Sequence, residues 1–399
     1  MGKDIKSDTE IYTRDVLIST GEFSKEIVIK YNQKEIYESC PVGSTIGYNE
    51  ASIITIDRNK NISILDFDSI LGLPQDQFDK IICADLNSQI TTSLSLAHFK
   101  FLSAKEGVPD DYLYLFISNY YKKEKKFPIP IFNILNGGKH AGNNLPFCEF
   151  MIIPKGKNIK ENIQIASEIY QDLRNIIDMK YGLQNVLVGR EGGFAPDIDD
   201  VEHAIELIKH AIDIRNSGRC YIGIDAAANN FSEKHTSKEN TKFNYFLNSK
   251  IITTEELLEF YSYLIEKFSE IYYLEDPFNE YDLGGWIKIR ELFGNKIMIT
   301  GDDLTVTNLE FIKKHKDLIN SVILKVNQVG NLTDTIISFE FCESNNIKTI
   351  ISQRSGETDS DFISHLAVGL GSDYIKAGAP ARERIIKYNS LIRISERDL

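Results

Sequence analysis

The run IYYLED at residues 271–276 decides the fold, because four apolar or aromatic residues close abruptly on an acid, Glu275. The same form recurs downstream. IMITGDD at 297–303 closes on Asp302, SVILKVNQ at 321–328 carries Lys325, KTIISQRS at 348–355 carries Arg354, and SDYIKAG at 372–378 carries Lys376. Upstream, CYIGIDAAA at 220–228 adds Asp225. Short runs rich in Ile, Val and Tyr read as buried parallel strands, and amphipathic stretches of helical length separate most of them. This alternation predicts a β/α barrel, in which the C-terminal strand ends converge on one mouth. Three carboxylates, two lysines and an arginine then face one another.

Working outward, IPIFNILNGG (129–138) and PFCEFMIIP (146–154) supply two further strands and bring the count to eight. The loop GGKHAGNN joins them, and VGREGGFAPD separates two helical stretches near 159–182 and 200–216. The polar segment 229–254 is expected to be a surface excursion between the third and fourth strands. Residues 10–45 alternate in period two, with turn residues at Gly21 and Asn32, and predict an antiparallel meander. PVGSTIGYNE (41–50) reads as a loop, and 69–121 has helical spacing. The charged run YKKEKKF with Pro128 and Pro130 marks the expected boundary between an N-terminal α+β capping domain, 1–127, and the barrel, 128–399; a solvated helix end is the alternative.

With 399 residues, 42% hydrophobic and 26% charged, the chain has the composition of a globular protein of two domains. The net charge of −13 argues against broad binding of nucleic acid or anionic membranes, which need a basic face. It leaves room for a small anion in a locally basic pocket. The polar start MGKDIKSDTE lacks the apolar segment of a signal peptide, so a cytoplasmic protein is expected. The five cysteines Cys40, Cys83, Cys148, Cys220 and Cys342 are widely spaced and form no CxxC pair, which predicts buried reduced thiols.

Asp225, Glu275 and Asp302 are hard oxygen ligands at three strand ends. Carboxylates brought together repel, and a divalent cation relieves the repulsion; with no His or Cys nearby in sequence, Mg²⁺ is favoured over zinc. Taken singly, each acid is as compatible with a helix cap. Lys325 closes a strongly apolar strand, where desolvation and nearby cations lower an ammonium's pKa and make it a general base. The alternative is a lysine paired with one of the acids across the barrel. Arg354 with Ser355 offers donors for a phosphate or carboxylate, and Lys376 a second cationic contact. The two glycine-rich loops carry His140 and Glu191 and suit a closing lid. Glu149 lies on the second strand, where pairing with a lysine is the bland alternative.

Together these motifs resemble the enolase family. NGGKHAGN, EFMIIP, EGGFAP, GIDAAA, LEDPF, GDDLTVTN, LKVNQVGN, RSGET, IKAGAPARERIIKYN and LIRI follow in order through roughly 128–399, and PVGSTIGYNEA carries a thinner match before them. The resemblance implies a barrel whose second strand is antiparallel, and reversible dehydration of 2-phosphoglycerate to phosphoenolpyruvate. By position, Lys325 is then the base that removes the C2 proton, and Glu191 helps the C3 hydroxyl depart with Glu149 beside it. Asp225, Glu275 and Asp302 hold the first Mg²⁺ and Thr45 helps bind the second. Lys376 meets the substrate carboxylate, Arg354 and Ser355 the phosphate, His140 comes down on the lid, and Gln353 lies beside the phosphate. The resemblance also implies a homodimer, with Glu26 and Arg393 where the family pairs an acid and an arginine.

Several positions depart from the family pattern. Thr45 stands for a serine, Gln353 for a histidine, Arg190 for an aspartate, Lys139 for a serine, Cys148 for a glutamine and Thr20 for an arginine. An Arg190 guanidinium close to Glu191 would favour the ionised carboxylate. The metal ligands and the base are unchanged, whereas groups around the leaving hydroxyl and phosphate differ. Three outcomes stay open: an enolase acting on 2-phosphoglycerate, a divergent paralogue acting on a related phosphorylated or phosphonate acid, and a weakly active binding protein.

Overall fold

The computed structural model describes residues 9–43, 62, 65–85, 88–215, 218–236 and 241–398. Three antiparallel strands open the chain, β1 (Glu10–Leu17), β2 (Phe23–Tyr31) and β3 (Lys34–Ser39). Two tight turns set their register. Leu17 faces Phe23 across a hairpin in which Gly21 takes φ +82, and Asn32 and Gln33, with φ 49 and 64, turn the chain between Tyr31 and Lys34. Ile27, Ile29 and Ile36 fill one side of this sheet. Helices α1 (Phe67–Ile70), α2 (Gln75–Asp85) and α3 (Ser88–Lys105) follow, and Phe78, Ile82, Leu94 and Phe101 complete the small core. Each such side chain removed from water contributes about 2 kcal/mol. Helix α4 (Leu113–Tyr121) ends at Lys122 in a left-handed cap, φ 53.

The barrel is built from β4 (Ile129–Asn136), β5 (Glu149–Pro154), β6 (Cys220–Asp225), β10 (Ile271–Glu275), β11 (Met298–Gly301), β12 (Ser321–Leu324), β13 (Lys348–Ser352) and β14 (Tyr374–Lys376). It closes in the order β10-β11-β12-β13-β14-β4-β5-β6. β5 pairs antiparallel with both β4 and β6, while the other neighbours are parallel. Helices α5 (Ile159–Tyr181) and α6 (Val201–Ile214) lie between β5 and β6 in the chain. Val201, Ala204, Ile205, Leu207, Ile208, Ala211 and Ile212 are buried on α6, the apolar stripe of a helix packed on a sheet. Asp200 caps it by accepting from the His203 N–H.

The segment expected to be a surface excursion is instead an ordered antiparallel sheet, β7 (Ser232–Thr236), β8 (Thr241–Leu247) and β9 (Lys250–Thr253). Phe243, Tyr245 and Leu247 alternate along β8 and join the main core, so its polar composition conceals a buried face. After it come α7 (Thr254–Lys267), α8 (Leu283–Phe293) and α9 (Leu309–His315), one after each of β9, β10 and β11. Then α10 (Val326–Val329) and α11 (Leu332–Ser344) follow β12, α12 (Phe362–Leu370) follows β13, and α13 (Ile385–Arg397) ends the chain. All five cysteines are free, and four are buried as expected; Cys83 is exposed. No helix among the described residues is long and apolar enough to cross a membrane.

The period of the strands explains the mouth. Ile131, Met151, Ile153, Tyr273, Met298, Ile323, Ile350 and Tyr374 form one compact cluster inside the barrel, while neighbours such as Phe132, Leu274 and Ile351 pack outward on the helices. Side chains two residues apart share a face. Stepping on by two or four from the interior cluster therefore reaches Glu275, Asp302, Lys325, Arg354 and Lys376. On β5 the step runs backward, from Met151 to Glu149, because that strand is antiparallel. The N-terminal segment closes over one side: Val42 and Gly356 exchange backbone hydrogen bonds of 2.8 Å, and Asn327 Nδ2 donates to the Pro41 carbonyl at 2.9 Å.

Candidate active site

Glu149, Asp225 and Glu275 stand side by side on β5, β6 and β10, each in register with the next. Three buried carboxylates at adjacent strand spacing repel one another. Lys376, at the end of β14, supplies the counter-charge, with Nζ 2.7 Å from Glu275 Oε2, 2.9 Å from Glu149 Oε2 and 3.4 Å from Asp225 Oδ2. Its ammonium is pushed well above the ordinary lysine value, since those carboxylates outweigh the burial that opposes it. Burial, and then the Glu275 charge, push the Asp225 carboxyl well above the usual range. Glu149 goes the other way: Lys376 and His140 overcome burial and hold its carboxyl low.

Lys325 Nζ donates to Asp302 Oδ2, and Gln328 Nε2 holds Asp302 Oδ1 at 2.8 Å. Burial opposes the Lys325 ammonium, but Asp302 raises it, and Lys325 in turn lowers the buried Asp302 carboxyl. The lowered lysine pKa expected from the sequence is therefore not found. The pairing arises because the carboxylates take the nearest cations as partners.

Glu275, Asp276 and Asp302 present carboxylate oxygens within 4.8 Å of one another. Among the described residues, Glu275 Oε1 is buried without a hydrogen-bond partner. An all-oxygen donor set with an unsatisfied buried oxygen and excess negative charge fits a hard divalent cation such as Mg²⁺. His140, Glu149 and Glu191 form a second group of the same span, with His140 Nδ1 3.3 Å from Glu149 Oε1.

Arg354 is buried; its Nη1 donates to Asn327 Oδ1 at 3.1 Å and its N–H to Glu357 Oε1 at 2.9 Å. A Cβ on Gly43 would meet the Arg354 guanidinium, so a larger residue there would require that side chain to shift. Ser355 is buried beside it. A small cavity joins Gly43, His140, Glu149, Glu191, Asp225, Asp302, Lys325, Gln353, Arg354, Ser355 and Lys376. The structure thus brings most of the expected site residues to one mouth, but the carboxylates that converge within 4.8 Å are Glu275, Asp276 and Asp302, with Asp225 outside that group, and Thr45 lies outside the described residues.

Some neighbours differ from expectation or were missed. The Arg190 and Lys139 side chains are exposed, while Glu191 and His140 beside them are buried, and among the described residues no ion pair joins Arg190 to Glu191. Both cations line an open groove of about 800 Å³ that shares His140 with the mouth. Reasoning from sequence passed over Tyr273, whose hydroxyl donates to Glu275 Oε2 from inside the barrel. Nor did it single out Asp276, which sits at φ 39 and accepts from the Asp302 and Asp303 N–H groups at 3.1 and 2.8 Å. Asp276 could have been found as the second acid of LEDPF. Tyr273 reads as one more core aromatic.

A closed eight-stranded barrel with one antiparallel strand, carrying a carboxylate cluster and two lysines in its mouth, defines a β/α-barrel enzyme suited to proton abstraction beside an anionic group. A model of the enolase C-terminal TIM barrel domain matches residues 124–398. Enolase B of Dictyostelium discoideum is 37% identical over 421 residues, covering 97% of this chain and 94% of that protein. An enolase of Metallosphaera sedula is 38% identical over 313 residues, covering 77% and 72%. The chain belongs to the enolase family of lyases.

Proposed function

We propose that this chain catalyses the reversible, Mg²⁺-dependent dehydration of 2-phosphoglycerate to phosphoenolpyruvate. One observation carries the proposal. β12 and β5 stand four strands apart in a ring of eight, so Lys325 and Glu149 flank the mouth from opposite sides. A base on one side, and on the other the Glu149 carboxylate with Glu191 and His140 beside it, suit loss of a C2 proton and a C3 hydroxyl from opposite faces.

Lys325 is the base. Once Asp302 is engaged elsewhere, Lys325 loses the partner that keeps it protonated. Glu191, with Glu149 and His140, attends the departing hydroxyl. Lys376 meets the substrate carboxylate, and Arg354 with Ser355 meets the phosphate. Asp225, Glu275 and Asp302 would hold one Mg²⁺, and Thr45 is assigned to a second. Bound there, Mg²⁺ supplies positive charge where a carboxylate gains negative charge as its α-proton leaves; the handling of that charge by Lys and Mg²⁺ is the established pattern of enolase-superfamily sites.

A steady-state assay with 2-phosphoglycerate and Mg²⁺ tests the assignment, with turnover abolished in Lys325→Ala. Tight Mg²⁺ binding without turnover would overturn it. The exposed groove bearing Lys139 and Arg190 beside His140 favours one second reading, a larger or differently charged phosphorylated or phosphonate acid. Turnover of such an acid, with none of 2-phosphoglycerate, selects it.

A cytoplasmic homodimer is proposed on the same footing. Glu26 is buried and paired with Arg14 in its own chain, and Arg393 is exposed on α13. Sedimentation that finds only monomer removes this assignment.

A further inference from the structure

Arg384, Gln353 and Glu191 form a chain of hydrogen bonds leading from the barrel wall into the mouth. The Arg384 guanidinium is fully buried. Nη2 donates to the carbonyls of Arg190 and Ser355 at 2.8 and 2.5 Å, and Nη1 to that of Arg354 at 2.7 Å. Nη1 also donates to Gln353 Oε1 at 2.8 Å, and Gln353 Nε2 donates to Glu191 Oε2 at 3.0 Å. Asn133 Nδ2 reaches the same carboxylate oxygen at 3.2 Å.

The orientation of the Gln353 amide is dictated by its neighbours. A guanidinium can only donate and a carboxylate can only accept, so the oxygen must face Arg384 and the NH₂ must face Glu191. A flipped amide would make two repulsive contacts. Gly378 packs against this arrangement: it takes φ +79, and a Cβ there would lie 2.9 Å from Gln353 Nε2 and 2.8 Å from the Glu191 carbonyl. Both polar ends of Gln353 are committed within the protein, and the residue is buried.

We propose that Gln353 is a positioning residue that fixes Glu191 through Arg384, and not a substrate contact. With Oε2 taken by two amide donors, Oε1 is the oxygen of Glu191 left to face the leaving hydroxyl. The link carries no titratable proton. A histidine at this position would introduce one with an ordinary pKa near 6.5, so the amide makes the placement of Glu191 independent of pH.

Resting on the proposed dehydration, the test compares wild type with Gln353→Leu and Gln353→His, each checked for an unchanged Tm. Gln353→Leu should lower kcat about 10²-fold, the loss expected when a reacting group is misplaced, with KM changed by less than about threefold. Gln353→His should recover part of kcat and add an acidic limb near pH 6.5 to the kcat profile. A raised KM with unchanged kcat in Gln353→Leu, or a Gln353→His profile that superimposes on wild type, overturns the proposal. A ligand-free measurement separates this outcome from a wrong substrate. In ¹⁵N-glutamine-labelled protein, the side-chain NH₂ signals lost in Gln353→Leu should exchange slowly with water, and rapid exchange overturns the proposal even if 2-phosphoglycerate is never turned over.

Discussion

Lys325 and Asp302 form a part-buried ion pair across the ends of β12 and β11, joining the group assigned as base to a carboxylate assigned to the metal. Cation binding and the pair therefore compete for the same carboxylate. A hydrogen bond to a charged group contributes about 1.5–3 kcal/mol, which corresponds to roughly tenfold or more in affinity. Lys325→Met, which keeps the apolar stem, should bind Mg²⁺ about tenfold more tightly while losing C2 proton exchange. Isothermal titration on the substrate-free protein measures the first effect and deuterium incorporation the second. Weaker Mg²⁺ binding in the variant would show that Lys325 and the cation do not share Asp302.

Tyr273 reaches Glu275 from beneath, inside the barrel, where Lys376 contacts the same oxygen. Partners behind a metal ligand orient it, and their loss typically costs 10–100-fold in affinity, as a general estimate. Tyr273→Phe keeps the ring that packs against Ile131, Met151 and Ile323 and removes only the donor. We expect the Mg²⁺ Kd to rise about tenfold with the far-ultraviolet spectrum unchanged. An unaltered Kd would mean that Lys376 alone orients Glu275.

Short apolar runs closing on charged residues, with helical stretches between them, made the barrel and most of its mouth legible in the sequence. The step from Ile323 to Lys325, or from Tyr374 to Lys376, is visible in a linear string once the strands are recognised. What escaped was set by contacts between distant segments. Arg384 lies in the recognisable run ARERII, yet its task depends on carbonyls of residues 190, 354 and 355 that only the closed barrel brings together. Asn133 likewise reads as a polar interruption of a strand until Glu191 is placed opposite it. The partner of Lys325 was open for the same reason: spacing fixes which face a side chain takes, and not which charge it meets.

His98 offers a pH response remote from the barrel mouth. It is buried, stacked on Phe78 at 3.6 Å, with Nδ1 2.8 Å from Gln75 Oε1. Burial lowers its pKa from the ordinary 6.5 to about 3. The unfolded chain then binds a proton that the folded chain refuses. Stability from this group is complete above pH 6.5 and is lost as pH falls toward 3. Near pH 4.5 the loss is on the order of 2 kcal/mol. Urea unfolding at pH 7 and pH 4.5 should show a smaller difference for His98→Gln than for wild type. Equal differences would mean that the imidazole is protonated inside the fold.

Asp225 should oppose folding when no cation is bound, and the sign of its pKa shift shows why. Its carboxyl is raised by burial and by Glu275, so the folded state holds the proton to higher pH than the unfolded state does. Its contribution to stability is present below the unfolded pKa and is lost as pH rises through the folded one. At neutral pH the charge therefore works against folding. Asp225→Asn keeps an acceptor for the Ala227 N–H, now held at 2.9 Å, and removes that charge. The variant should melt above wild type in EDTA. Added Mg²⁺ should reverse the order, because a ligand at about one hundred times its Kd stabilises the folded state by about 2.7 kcal/mol and the variant lacks one of the assigned ligands. Scanning calorimetry of both proteins with and without Mg²⁺ reads the crossover, and a variant that melts lower under both conditions would place Asp225 in the fold and not at a cation site.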